Sequence, residues 1–354
     1  MITVGAYLEE YYQLQFQNAS NRITNLRGFD NRSRTFTLSS VALDVKGETG
    51  PLTEHVVLQV GHTPSTYYLA EPALPGTPSV DATSGELWKY LQAVNLSAKA
   101  PHDLVIEAGL FPSPIGPEVI PVKDNWNWSR SNLFFGLPSY HTGATVSHAL
   151  GDNWTGKLHV YNGWNSVTDN NSTPSMAVSV AYASGNTNAQ LLYFGGNERP
   201  SGAPEGEPWC NLFDAILQVP VGGDVTVLVH GDAGFESNHF GTSWWAAGAA
   251  SAKLQLAPEL YAAVRGDYFY ENVAANRTGR ASPIFWPVTW VAEGTATLAY
   301  QPIDHASLRL EYRHDQAAGN AYFGGDVTTD PLTQSYVPDR TSQDTVTFGV
   351  TAWF

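Results

Sequence analysis

Residues 345–354 read TVTFGVTAWF. Val346, Phe348, Val350, Ala352 and Phe354 fall in one phase, and Thr345, Thr347, Gly349, Thr351 and Trp353 in the other. This is a period-two strand with one apolar face, and the alternation runs to the last residue. A free carboxylate beside a buried aromatic side chain is costly inside a soluble core. It is well placed where a strand ends at a membrane–water interface, with aromatic rings at headgroup depth.

Composition agrees with that reading. The chain has 354 residues, a formal net charge of −15, 14% charged residues, and 11 Trp with 17 Tyr. Few charges and many aromatic residues exclude a disordered chain. The acidic balance argues against a nucleic-acid partner. No apolar run approaches the ~18 residues of a membrane-spanning helix. The mean hydropathy of −0.21 is that of a soluble protein. A membrane β-barrel gives the same value, because lipid-facing and lumen-facing residues alternate. Cys210 is the only cysteine, which excludes an intrachain disulfide and a cysteine-based metal cluster. Met1 is followed at once by the strand-like ITVGAYLEEYYQLQF. The expectation is therefore a mature chain from which an export signal has been removed.

Strand-like segments alternate with turns along the whole sequence. They fall near 2–16, 35–46, 55–63, 87–99, 103–111, 142–150, 156–162, 175–184, 189–196, 210–220, 225–234, 242–257, 260–271, 288–301, 305–315 and 343–354. The connections between them alternate in length. Short ones fall at 47–54, 100–102, 151–155, 185–188, 221–224, 257–259 and 301–304, with turn residues such as Gly222–Gly223–Asp224. Long ones fall at 18–34, 63–86, 112–141, 163–174, 197–209, 235–241, 272–287 and 316–342. The expected fold is all-β: one transmembrane antiparallel β-barrel of about sixteen strands over residues 1–354, with short periplasmic turns and long extracellular loops.

The two faces are explicit in several strands. Val4, Ala6, Leu8, Tyr12 and Leu14 alternate with Thr3, Tyr7, Glu9, Tyr11 and Gln13. Leu308, Leu310 and Tyr312 alternate with Arg309, Glu311, Arg313 and Asp315. A cation facing hydrocarbon at mid-depth costs roughly 2–4 kcal/mol, which a wet lumen avoids. The expected lumen-lining set is Glu9, Glu107, Asp214, Asp267, Glu271, Glu293, Arg265, Arg309, Glu311 and Arg313. Asp232 and Asp315 add to its acidic side, and Lys157 and Lys253 to its basic side. The acidic excess predicts mild cation selectivity, weakened by screening over ~8–10 Å.

NASNRITNLRGFDNRSRTFTL (18–38), GLFPSPIGPEVIPVKDNWNWSRSNLFFGLPSYHTG (109–143), VYNGWN (160–165) and the terminal GVTAWF resemble the proteobacterial OmpL-like β-barrel porin family. The resemblance covers essentially the whole chain, and block 112–141 is its most specific part. It implies a porin-like barrel of the bacterial outer membrane and assigns no solute. It also implies that Phe354 ends a strand read by the barrel-assembly machinery, and that lipid and lipopolysaccharide surround the barrel. A homotrimer is common among sixteen-stranded porins.

By analogy with general porins, residues 112–141, the longest connection by this reading, fold inward and narrow the pore, carrying Glu118, Lys123, Asp124 and Arg130. The alternative is an external cap. Arg22, Arg27, Arg32 and Arg34 form a basic wall opposite that loop, or else bridge lipopolysaccharide and neighbouring loops. No catalytic motif is present, and no cofactor or metal is required. Ser147 and His148 point to opposite faces and cannot act as a dyad, and Asp232, Glu236 and His239 have no specific metal spacing. The loops VTDNNSTP (167–174) and GGDVTTDP (324–331) either bind calcium or sugars or are simply solvated. Tyr7, Tyr11, Trp245, Tyr261 and Phe269 either form a sugar-stacking track or fill the lumen.

Overall fold

The computed structural model describes residues 1–71, 85–274 and 286–354. Sixteen strands follow in chain order: β1 Ile2–Gln15, β2 Phe36–Thr49, β3 Leu52–Val60, β4 Leu91–Ala100, β5 Leu104–Pro112, β6 Tyr140–Ala149, β7 Trp154–Tyr161 and β8 Ser175–Ser184. The second half is β9 Thr187–Asn197, β10 Trp209–Pro220, β11 Val225–Asn238, β12 Gly241–Ala257, β13 Leu260–Asn272, β14 Trp290–Ile303, β15 Ala306–Ala317 and β16 Ser342–Trp353. Each pairs antiparallel with its chain neighbours, and β1 closes on β16. Closure leaves no edge strand with unpaired backbone groups, which is the condition for a sheet to stand in lipid.

The alternation of sequence becomes an alternation of exposure. On β15, Leu310 and Tyr312 are 52% and 44% exposed, whereas Arg309, Glu311 and Arg313 are 1%, 1% and 0% exposed. Val264 on β13 is 53% exposed between the buried Ala263 and Arg265. The outer surface is thus an apolar belt, and the charges are turned inward. Val264→Arg is expected to destabilise the barrel by roughly 2–4 kcal/mol, read by denaturant unfolding from lipid vesicles. Equal stability of the variant would place this face away from hydrocarbon.

All sixteen expected strands are present, with two corrections at the long-loop rim. The connection expected at 235–241 is instead a hairpin whose loop is His239 and Phe240 alone. Phe235, Glu236, Ser237 and Asn238 continue β11 and pair with Trp244, Ser243, Thr242 and Gly241. Polar side chains there mimic a loop, but the ladder continues to Asn238 and Gly241, and His239 N–H donates to Glu205 O of the neighbouring connection at 3.2 Å. The longest connection runs over 61–90, not through the inward block, because β3 ends at Val60 and β4 starts only at Leu91. Parts of two expected long connections, 72–84 and 275–285, lie outside the described residues.

Candidate functional site: the lumen and its inward segment

Residues 113–139 leave β5 and return to β6 through a neck closed by Ser113 N–H donating to Ser139 O at 3.0 Å. Between these points the segment is bonded to inward-facing side chains far away in sequence. Val122 N–H donates to Tyr7 Oη at 2.9 Å and to Glu9 Oε2 at 3.3 Å. Arg309 Nη1 donates to the carbonyls of Val122 and Asn127 at 2.8 and 3.0 Å. Glu311 accepts from the backbone of Trp128 and Ser129 at 2.5 and 2.9 Å. Asp267 accepts from Asn132 N and Nδ2 at 2.7 and 2.8 Å. A loop has no ladder partners, so its backbone groups need side chains to satisfy them. The charged inner faces of β1, β13 and β15 supply those partners.

Shape complements charge. Trp128 is 1% exposed and lies against the inward position of Gly349, where a Cβ would come within 2.1 Å of the ring. Gly349 therefore leaves room on the terminal strand for the loop's indole. Gly136 does the reverse, exposing loop backbone to the ring of Phe269, whose nearest carbon would be 2.4 Å from a Cβ.

An ionic ladder runs up the same wall. Arg265 Nε lies 2.7 Å from Glu293, and its Nη1 lies 2.7 Å from Glu118 of the loop. Arg313 reaches Asp315 at 2.7 Å and Glu293 at 3.8 Å. Arg27 pairs with Asp315 at 3.2 Å and with Asp30. Burial would raise the Asp30 carboxyl, but the Arg27 guanidinium outweighs it and holds Asp30 below the usual aspartate range. Such pairs are costly to desolvate and persist because every member is bonded on several sides.

The expected site residues are redistributed by this packing. Glu118 and Arg27 join the ladder, although Arg27 meets Asp30 and Asp315 and not the acids of the inward segment. Arg130 is 2% exposed, donates to the carbonyls of Val119, Ile120 and Trp128, and lies 5.0 Å from the Phe29 ring centroid. It braces the segment from within and does not face water. Lys123 and Asp124 pair with each other at 2.9 Å. Arg22, Arg32 and Arg34 are exposed and form no ion pair among the described residues, so of the four arginines only Arg27 is drawn into the ladder.

The expected lumen-lining set points inward, but Glu9, Asp214, Asp267, Glu271, Glu293, Arg265, Arg309, Glu311 and Arg313 are all buried, most under the inward segment. Glu107 alone of that set stays half-buried. Asp44, Lys99 and Lys157 also remain exposed or half-buried on the inner faces of β2, β4 and β7. The aromatic candidates Tyr7, Tyr11, Trp245, Tyr261 and Phe269 are buried, so they pack the interior. His141 is buried, stacked on Tyr161 at 4.1 Å and bonded to Ser113 Oγ and Gly163 O. Glu236 is paired with Arg199 at 2.9 Å. The Asx-type bonds Asp169 to Asn171 N and Asp330 to Leu332 N use the Asn/Asp-rich loops for their own turns. Among the described residues no cluster suits a metal ion.

One further tether has no sequence signal. Glu71, 3% exposed, accepts from Tyr140 Oη at 2.6 Å and from Val167 N at 3.0 Å, tying the long-loop rim together. Burial raises its carboxyl above the ordinary value, partly offset by these donors. A lone Glu in a loop carries no sequence signal of such a role.

The family model described as "Putative beta-barrel porin-2, OmpL-like" matches residues 1–354. The chain belongs to the OmpL-like β-barrel porins. Like the outer-membrane barrels it resembles, this OmpL-like porin is a channel protein of the bacterial outer membrane. Its fold is similar to the anion-selective porin of Comamonas acidovorans, with a TM-score of 0.63, 10% identity, and coverage of 100% of this chain and 99% of that one. It is also similar to the outer-membrane channel DcaP of Acinetobacter baumannii, with a TM-score of 0.61, 11% identity, and coverage of 100% and 97%. The trimer form of Vibrio cholerae OmpT gives a TM-score of 0.61 at 10% identity, with coverage of 100% and 99%. At such identities the likeness concerns the fold. No curated protein matches this OmpL-like porin in sequence.

Proposed function

We propose that this porin passes small hydrophilic solutes by passive diffusion, with residues 113–139 as its constriction. The observation that carries this reading is asymmetric packing. The segment is bonded mainly to the inner faces of β1 and β13–β15. On the facing side Asn95, Glu107 and Lys157 keep part of their surface exposed. A lumen covered on one wall and wet on the other is a narrowed channel. This reading involves no reaction and no cofactor.

Selectivity follows the charges still in water. The acidic excess counted from sequence consists mostly of carboxylates that the inward segment has covered. Those left, Asp44 and Glu107 against Lys99, Lys157 and Lys253, carry no acidic excess. The mild cation preference expected from sequence is therefore reduced to a weak one at most. Homotrimer assembly is proposed too, supported by the trimer form of the similar OmpT barrel. Lipopolysaccharide outside and the assembly machinery acting on the strand ending at Phe354 complete the proposed partners.

Single-channel recording in planar bilayers under a KCl gradient tests the reading. Stable open steps with a reversal potential close to zero are expected. A folded barrel that carries no current would make the inward segment a plug.

A further inference from the structure

We propose that Lys253 and Trp126 form a binding subsite for small organic anions at the periplasmic end of the lumen, taking a carboxylate on the ammonium and a ring on the indole. It rests on the porin reading and goes beyond it by naming a substrate class.

Lys253, Trp126 and Tyr261 converge there. Lys253 faces inward near the end of β12, which turns at 258–259 into β13 on the short-turn rim. Its Nζ lies 5.7 Å from the Trp126 ring centroid and 5.3 Å from that of Tyr261. Trp126, at the deepest part of the inward segment, is half-buried against Tyr261, Ala263 and Ala299. The two alanines are small enough for the indole to settle between strands. Tyr261 Oη donates to Trp126 O at 3.1 Å and fixes the tip in place.

Neither cation beside this aromatic pair, Arg309 or Lys253, is held in a direct ion pair among the described residues. Arg309 spends Nη1 on two loop carbonyls, and its buried Nε has no partner among the described residues. The nearby Glu311 is committed to Trp128 N, Ser129 N and Thr297 Oγ1. Two cations thus share a low-dielectric wall with only π faces and carbonyls as partners. Ring faces stabilise an ammonium less than a carboxylate does. Arg309 is buried and acts through its field, whereas Lys253 is half-buried and reaches the lumen. An anion entering here gains a charge-assisted contact with Lys253, and a planar body gains the exposed part of Trp126.

Benzoate is the probe, added to single channels conducting KCl, with neutral benzamide as control. Dose-dependent block by benzoate and none by benzamide is expected. Lys253→Gln weakens the block about tenfold, Lys253→Arg retains it, and Trp126→Leu weakens it for benzoate more than for acetate. A conducting wild type that benzoate leaves unblocked, or equal block in Lys253→Gln, overturns the subsite and leaves the porin reading standing. Loss of KCl current from the folded wild type instead overturns the porin reading. Calorimetric titration of benzoate into the barrel in micelles then decides the subsite, with equal affinity in wild type and Lys253→Gln counting against it.

Discussion

Deletion of residues 125–129 raises single-channel conductance by on the order of twofold, because conductance through a narrow pore follows its tightest cross-section. The deleted stretch contains Trp126 and Trp128, the two largest side chains at the tip. It also contains Asn127, whose carbonyl holds Arg309 and whose amide donates to Thr297 Oγ1 at 2.7 Å. With it go the two amides that Glu311 accepts from. The excision therefore removes bulk and returns Glu311 and Arg309 to water together. Their opposite charges offset, so the gain is in conductance and not in the sign of selectivity. The current is measured in bilayers beside wild type. A conductance equal to wild type would remove the constriction role from this segment.

Arg313→Met loosens the inward segment and destabilises the barrel by roughly 3–5 kcal/mol, the range for removing one partner of a buried ionic network. Arg313 is wholly buried and donates to Asp315, to the carbonyl of Arg130 at 2.5 Å, and to Asn132 Oδ1 at 3.3 Å. Methionine fills similar volume but leaves Asp315 and Glu293 short of a cation, with Arg27 and Arg265 as the remaining ones. The segment carries Lys123 and Arg130, so trypsin reads its release directly. Cleavage there is expected in the folded variant and not in wild type, with a lower denaturant midpoint. Arg22→Ala, on an exposed residue outside the ladder, leaves both readouts unchanged. Trypsin resistance equal to wild type in Arg313→Met would show that the ladder does not hold the segment.

The strands were legible because period-two patterning is local and lipid enforces it. Leu308–Arg309–Leu310–Glu311 states its two faces without reference to any neighbour. The hairpin at His239–Phe240 is hidden in the sequence because Glu236, Ser237 and Asn238 look like loop, and only pairing with Ser243, Thr242 and Gly241 shows otherwise. The candidate site was half legible. Strand phase turns Arg265, Asp267, Glu293 and Glu311 inward, but phase does not say what covers them. Arg265, Asp267 and Glu311 meet loop partners more than a hundred residues away: Glu118, Asn132 and Ser129. The fit of Trp128 over Gly349 is likewise invisible in either stretch alone.

That fit bears on the order of events during folding. The inward segment is spliced between β5 and β6, yet its polar partners sit on β1 and on β13–β15, and Trp128 rests on β16. These are the strands flanking the seam where first and last meet. The segment cannot find its seat until the final strand is in place, and once the ring is shut a folded loop of this size has no wide entry. The seat is thus built from both ends of the chain, and filling it carries the loop-closure entropy of contacts between residues far apart in sequence. To seat its own middle, the chain must first bring its two ends together around it.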